Sequence, residues 1–442
     1  MTGGVCRSLP RRAARACAVV GLACAVAFGA LAAGCAGEAP TVRKIAIIGV
    51  DGMDWGIADP LMEQGRLPNL EALVRRGAKV DLRSTGPVMK SPVIWTTIAT
   101  GKGKDKHGIT DYVGAGKDSP LFTSQGWKAR PIWEILGDRG YTVGIVNWLV
   151  NWPAKPVNGY NVSDRIMFAP EDGFEASPDA AYPAGLEDEL APARQPAAET
   201  GDEIVARFLN GDSWRSSEDG FTSEAVEAVR RIYAADQSVY QVTAELLRTR
   251  EQPDLLAVYM NGVDVSCHAF WGQMEPSSVD ISMTDEFVET FKDVIPRYYE
   301  RMDALIGELV GLLEEGTTVI VCSDHGFRGP HRSESGLKLG IWMHREVGVL
   351  AAAGPGIRRS AAAEGSVFDI TPTILALFGE PVARDMDGFV LSEILDERLL
   401  EHRPVTYVAT YEDEGGGEAE SPVESPVDEE IKERLRSLGY IE

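Results

Sequence analysis

Four short stretches of this chain carry residue types that can bind a cation or attack an electrophile. Asp51 stands in Val50-Asp51-Gly52-Met53-Asp54-Trp55, directly after an apolar run. Asp264 and His268 lie four residues apart, a spacing that on one helical turn points both side chains to the same side. Asp324 and His325 are adjacent in Ser323-Asp324-His325-Gly326, where a sharp turn lets both reach one ion. Each alone also reads as a capped turn or a satisfied polar pair. The chain has only six histidines, however, and two of them stand beside acids after apolar runs, which points to metal ligation. Ser91, in Lys90-Ser91-Pro92, opens a segment that ends in Thr100-Gly101. A serine there can simply cap a helix, or the helix start can receive an alkoxide and an anion. The G-x-S-x-G pattern of a Ser–His–acid hydrolase does not occur, which leaves metal coordination as the route to activating this hydroxyl.

These residues need elements to hold them. Residues 43–50 form a continuous apolar run, the pattern of a parallel strand buried on both faces. Asp51 would then sit at a strand's carboxyl end, where open α/β sheets bind ligands, with Gly52 permitting the turn. Residues 255–260 and 317–322 read as the strands before the other two motifs, with further strands at 141–148 and 347–352. Helices are expected over 70–76, with Asn69 as cap and Gly77 as stop, and over 91–100, with Pro92 at its first position. Others fall at 131–136, 222–249 and 285–314. The alternation predicts an α/β fold: a doubly wound, mostly parallel sheet with helices on both faces. Residues 153–221 are rich in Pro, Gly, Ala, Asp and Glu and read as an inserted cap over the strand ends, with Trp148 and Trp152 at its start choosing the leaving group. The catalytic domain is expected over 43–402 and an acidic tail over 403–442, in which 412–430 is low in apolar residues and 431–441 can dock as a short helix.

Of 442 residues, 43 are basic and 67 acidic, a net charge of −24 that excludes nucleic-acid duplex binding through a broad basic face. A small anionic substrate would need a locally positive site, which bound cations supply. The first 34 residues carry four arginines (Arg7, Arg11, Arg12, Arg15) and no acid, followed by the apolar run 16–33, an export-signal pattern. Leu31-Ala32-Ala33-Gly34-Cys35 resembles a bacterial lipobox. That predicts removal of 1–34, lipid on Cys35, a linker over 35–42, and a membrane-anchored lipoprotein facing the periplasm or exterior. A plain secretory signal with an incidental Cys35 is the alternative. Cys6, Cys17 and Cys24 leave with the signal, so Cys267 and Cys322 remain, as one bridge or, by expectation, two buried thiols.

As an ordered set, the motifs resemble the alkaline phosphatase superfamily, most closely its type I phosphodiesterase/nucleotide pyrophosphatase branch. The resemblance implies that Asp51, Ser91, Asp324 and His325 hold one divalent cation, and that Asp264, His268 and a later histidine hold a second. It places the nucleophile ten residues before a Thr-Gly glycine; counting back from Gly101 gives Ser91 rather than Ser84, Thr96 or Thr97. His344, just before the apolar run 347–357, is the implied third histidine, with His331 as rival. His107 is expected to shape a turn and His402 to lie on the surface. Mixed Asp/His ligation suits Zn²⁺, with Mn²⁺ or Fe²⁺ able to take the same set. The implied activity is a two-metal phosphohydrolase, a phosphodiesterase or pyrophosphatase acting on a small phosphorylated substrate through a phosphoseryl intermediate. Alternatives are a phosphomonoesterase or phosphotransferase/mutase of the same superfamily, or, in another class, a lipid-anchored binding protein with a structural metal site.

The chain departs from the branch in places. Where the branch carries an asparagine that contacts a phosphoryl oxygen, the same count from His107-Gly108 gives Tyr112, which bears on a nucleotide-pyrophosphate substrate. The sulfatase pattern is absent: Pro92 comes one residue too early and Trp95 stands where its arginine would be. Lys90 and Trp95 are expected to contact substrate. Lys90, with Lys102, Lys104 and Lys106, can supply positive charge, and Trp95 an apolar wall that favours a diester over a monoester.

Overall fold

A strand apolar at every position must be covered on both sides, and residues 45–50 are. In the computed structural model, Ala46, Ile48 and Val50 enter one hydrophobic core while Ile45 and Ile47 enter a second on the opposite face. The structure describes residues 1, 3, 40–86, 89–114, 119–165, 178–279, 282–329, 331–333, 336–338, 343–412, 428–437 and 441. Most of the expected export signal, Cys35 and most of the expected linker lie outside the described residues. Residues from Thr41 onward make one compact unit. No helix among the described residues is long and apolar enough to cross a membrane.

Nine strands build the main sheet: β1 (Ile45–Val50), β2 (Ala78–Arg83), β3 (Val143–Val146), β4 (Gly159–Val162), β5 (Ala181–Tyr182), β6 (Leu255–Met260), β7 (Thr318–Cys322), β8 (Val347–Ala353) and β9 (Ala361–Ser366). Their spatial order is β9-β2-β8-β7-β1-β6-β3-β4-β5. All run parallel to their neighbours except β8, antiparallel to both β7 and β2, and β5, antiparallel to β4. The sheet is therefore α/β and mostly parallel, as its sequence pattern predicts. The run at 347–352 is a strand of the opposite sense.

Helices α1 (Trp55–Glu63), α2 (Pro68–Arg76), α5 (Gly220–Thr249), α6 (Gly262–Met274), α7 (Asp285–Phe291) and α8 (Val294–Leu312) pack into the first core. Helices α3 (Ser91–Thr100), α4 (Ile132–Asp138) and α9 (Ile370–Phe378) pack into the second. The expected helix over 285–314 is thus two helices. Helix α2 starts at Pro68 with Leu67 as its cap; Asn69, expected there, instead donates from Nδ2 to Asp303 Oδ2 at 2.9 Å. Ser91 is the first residue of α3, with Lys90 as its cap.

Two composition-based expectations change. Residues 153–221 contribute β4 and β5 to the sheet edge, and Leu186, Leu190, Val205, Phe208, Leu209 and Trp214 pack into the core beside α5. Short elements, rather than absence from the core, explain the weak periodicity. Residues 403–412, expected to open a free acidic tail, are tied to the body: Tyr407–Val408 pairs with Val382–Ala383, and Lys102 binds Glu412 at 2.6 Å. Beyond them, α10 (Asp428–Ser437) docks through Ile431 and Leu435 onto Leu121. Cys267 and Cys322 are free, buried thiols.

Candidate metal centre and nucleophile

The sheet order explains how distant motifs meet. Strands β7, β1 and β6 are adjacent and in register, Gly49 opposite Cys322 and Val50 opposite Met260. Asp51, the Ser323–His325 turn and helix α6 therefore leave the sheet side by side at its carboxyl edge. Because β8 runs the other way, its N-terminal end arrives at that same edge. There His344-Arg345 pairs with Gly326–Phe327, and the His344 ring stacks on His325, centroids 3.6 Å apart. Glycine is needed twice. Gly52 has φ +69°, and a Cβ there would come within 2.8 Å of Asp264 Cβ; a Cβ on Gly49 would meet the Trp95 ring at 2.5 Å.

Two triads result, Asp51/Asp324/His325 and Asp264/His268/His344, each with ligand atoms within 4.8 Å of one another. His325 Nε2 lies 3.4 Å from Asp51 Oδ1, 3.4 Å from Asp324 Oδ2 and 3.9 Å from Asp264 Oδ1. Asp264 Oδ1 lies 3.4 Å from His268 Nε2 and 3.6 Å from His344 Nε2. Ser91 Oγ donates to Asp51 Oδ1 at 3.4 Å.

The tautomers test whether cations fit. His325 Nδ1 faces the Gly326 carbonyl at 3.0 Å and His344 Nδ1 the Met89 carbonyl at 2.9 Å. Carbonyls only accept, so both rings carry a proton on Nδ1 and direct Nε2 toward carboxylate oxygens. Asp324 Oδ2 and His325 Nε2 are buried and make no hydrogen bond among the described residues. Buried polar atoms without a hydrogen-bond partner are costly, and a shared cation relieves that cost, so these residues fit two cations. The pKa directions agree. Burial, then Asp324 and Asp264, push Asp51 well above the usual carboxylate range. Burial, then Asp264, raises Asp324 to about 7. Asp264 is also raised by burial, but His268, the first of its histidine neighbours, holds it below the carboxylate range. Burial, then His325, keeps His344 neutral.

Residues behind the triads fix their aim, and sequence reasoning missed most of them. Asp51 Oδ2 accepts from Trp95 Nε1 at 3.1 Å and from the Tyr259 hydroxyl at 2.6 Å. Trp95 is fully buried, so its expected substrate contact is corrected: it positions Asp51 from behind. Asp236, on α5, accepts from the Asn261 and Gly262 amides and from Tyr298, holding the start of the helix that carries Asp264 and His268. An acid among Ile232, Ala235 and Val239 was a signal for this role. Asp54 caps α1 and also binds the Phe327 amide and Arg345, joining the β1 turn to the His344 segment.

Lys90 is paired with Asp111, Lys102 with Asp385 and Glu412, and Lys106 with Asp387. The Tyr112 hydroxyl is in hydrogen-bond contact with Ser91. In the first turn of α3, Pro92 has no N–H, and the Val93 and Ile94 amides return to the Lys90 carbonyl, so fewer donors face an anion than the helix start alone implied. His107 is buried between Thr97 and Ile109, and His402 is exposed. The side chain of His331, the rival ligand, lies outside the described residues.

Residues 45–373 match the family model of type I phosphodiesterase / nucleotide pyrophosphatase. A curated relative, Arylsulfatase K of Gallus gallus, is 29% identical over 139 residues, covering 29% of this chain and 26% of that protein, so the match takes in about a quarter of the relative's length. Among solved structures, murine ectonucleotide pyrophosphatase / phosphodiesterase 5 is 13% identical, with TM-score 0.44, over 80% of this chain and 100% of that one. Phosphonoacetate hydrolase from Sinorhizobium meliloti 1021 is 18% identical, with TM-score 0.40, over 67% and 59%. A putative sulfatase from Bacteroides thetaiotaomicron VPI-5482 is 11% identical, with TM-score 0.49, over 84% and 76%. Matched by the family model over most of its length, the chain belongs to the type I phosphodiesterase / nucleotide pyrophosphatase family of the alkaline phosphatase superfamily.

Proposed function

We propose that the chain is a two-metal phosphodiesterase that works through a phosphoseryl intermediate. The observation that carries this reading is the convergence of two buried Asp/His triads beside one buried serine hydroxyl. Asp51, Asp324 and His325, with Ser91, would hold one cation, and Asp264, His268 and His344 the other, with Zn²⁺, Mn²⁺ or Fe²⁺ suited to the donors. Bound there, the cations supply Lewis acidity to phosphoryl oxygens and favour ionisation of the serine. The chain's own residues do the rest. Trp95 and Tyr259 fix Asp51, and Asp51 orients the Ser91 hydroxyl. Ser91 Oγ attacks phosphorus: the Oγ–P bond forms, the ester P–O bond breaks and an alcohol leaves. The phosphoryl group on Ser91 keeps its second ester, so water then cleaves the Oγ–P bond, releasing a phosphomonoester and restoring Ser91. The dipole of α3 favours the anion at its start, and Tyr112 stands within reach to donate to a phosphoryl oxygen.

A monoester dianion carries one more negative charge than a diester. Of the four lysines with which the chain would answer it, Lys90, Lys102 and Lys106 are already paired with carboxylates, and Lys104 is exposed at the surface. That supports the diester, and it replaces the argument from Trp95. The test compares kcat/KM for bis-p-nitrophenyl phosphate and p-nitrophenyl phosphate, each corrected for its uncatalysed rate. The diester should show the larger rate enhancement, and Ser91→Ala should remove turnover and any trapped phosphoenzyme while retaining metal. A larger enhancement on the monoester refutes the diesterase reading, and turnover by Ser91→Ala refutes the nucleophile.

A further inference from the structure

We propose that the C-terminal helix α10 is a strap that holds Tyr112 on the nucleophile, so that a segment more than 300 residues away in sequence sets the turnover rate at Ser91. This rests on the reading of Ser91 as the nucleophile. Tyr112 sits at the start of a hairpin closed by its own backbone: the Phe122 amide binds the Tyr112 carbonyl at 2.9 Å, the Gly114 amide binds the Pro120 carbonyl at 3.0 Å, and Val113 bridges Leu121. On the nucleophile side this hairpin is tied through Asp111, which pairs with Lys90 and accepts the Tyr112 amide at 2.8 Å. Phe122 packs against the second core, but the backing on the Tyr112 side belongs to neither main core. Leu121, with Tyr112 and Val113, packs instead against Ile431 and Leu435 of α10 in a third, separate cluster.

The helix is held at its first residue. Asp428 Oδ1 accepts from Arg165 Nη2 at 2.8 Å, with both side chains nearly buried, and the Arg165 guanidinium lies over the buried Trp152 ring at 4.8 Å. A ten-residue helix is marginal alone in water, so α10 forms because it docks. It is then either docked and helical or released, a local equilibrium. Release removes the backing of Tyr112, Val113 and Leu121, and Tyr112 loses its fixed place against Ser91. Small displacements beside a reacting atom carry large rate penalties.

The test uses the full-length, Zn²⁺-loaded chain. Ile431→Asp/Leu435→Asp undocks the helix, and Asp428→Asn, a gentler change, weakens its anchor. In both, amide exchange over residues 109–122 should accelerate, and kcat/KM for bis-p-nitrophenyl phosphate should fall, by about tenfold or more in the double variant. A merely structural helix would give the same loss in any background. A strap acting through Tyr112 would not: in Tyr112→Phe, already slowed, undocking should change kcat/KM by less than about twofold. Unchanged exchange at 109–122 on undocking, or losses that add fully in the Tyr112→Phe background, would overturn the proposal. If the unaltered chain turns over neither phosphate ester, the proposed function fails, while the exchange comparison still decides whether α10 holds the hairpin.

Discussion

The Trp95 indole N–H donates to Asp51 Oδ2 at 3.1 Å, and the Tyr259 hydroxyl donates to the same oxygen at 2.6 Å. Both donors occupy one carboxylate oxygen, so the other, Oδ1, is left facing Ser91 and His325. The indole is wedged edge-on between Trp148 and Tyr259, centroids 5.1 and 4.9 Å away, so its N–H has little freedom to turn elsewhere.

Trp95→Phe keeps an aromatic ring but removes that donor. A hydrogen bond to a charged group contributes about 1.5–3 kcal/mol, so kcat/KM should fall by roughly ten- to a hundredfold. The metal content should change little, because Tyr259 still holds Oδ2. Steady-state kinetics with metal analysis of the same preparation check this, and wild-type kinetics in the variant would count against a positioning role.

Metal analysis also checks the two triads. The loaded protein should hold two divalent ions per chain, and chelation should abolish activity. His268→Ala and His344→Ala should each lose one ion, Asp324→Ala should cost several orders of magnitude in turnover, and His331→Ala should keep both ions. Loss of an ion from His331→Ala, with retention in His344→Ala, would reverse the choice of third ligand.

His107 makes stability depend on pH. The Ile109 amide donates to its Nδ1 at 3.2 Å, so the ring proton sits on Nε2, 3.2 Å from Thr97 Oγ1. Burial, opposed by Asp387 and by a hydrogen bond to the Val93 backbone, lowers its pKa from 6.5 to about 4. The fold keeps this ring neutral, whereas the unfolded chain takes up its proton below pH 6.5. Its stabilising effect is therefore complete above pH 6.5 and declines as pH falls toward 4, by about 3 kcal/mol across that window. Thermal unfolding of wild type and His107→Gln between pH 4 and 7 reads this, since other groups titrate alike in both. The variant should lose less stability on acidification; equal slopes would mean that His107 is not held neutral.

Lipidation of Cys35 is a proposal from the basic start and lipobox-like run alone. Cys35→Ala should free the chain from membranes of a Gram-negative-type host or block signal cleavage. Cell fractionation with mass measurement of the N-terminus decides it, and unchanged processing and membrane retention would exclude the lipid.

What was legible in the sequence was what local chemistry makes visible. Strands β1, β6 and β7 are buried on both faces, so each reads as an unbroken apolar run, and the acids that follow stand out against it. Asp51, Asp264, His268, Asp324 and His325 were therefore found as candidates, and Pro92 beside Ser91 marked the start of α3 to within a residue. Strands β2 and β9 passed unnoticed because Ala-Lys-Val-Asp-Leu-Arg and Ala-Ala-Ala-Glu-Gly-Ser carry no comparable run.

Tertiary structure decided the rest. No local pattern distinguishes an antiparallel β8 from a parallel one, yet its direction is what brings His344 onto His325. Trp95 looks the same in sequence whether it faces a substrate or the back of Asp51, and only the missing side chain of Gly49 lets it lie against β1. Apolar periodicity records which faces a chain buries. Which carboxylate an indole meets, and which hairpin a C-terminal helix backs, depend on pairings between residues far apart in sequence, and those are set only when the sheet and its two cores close.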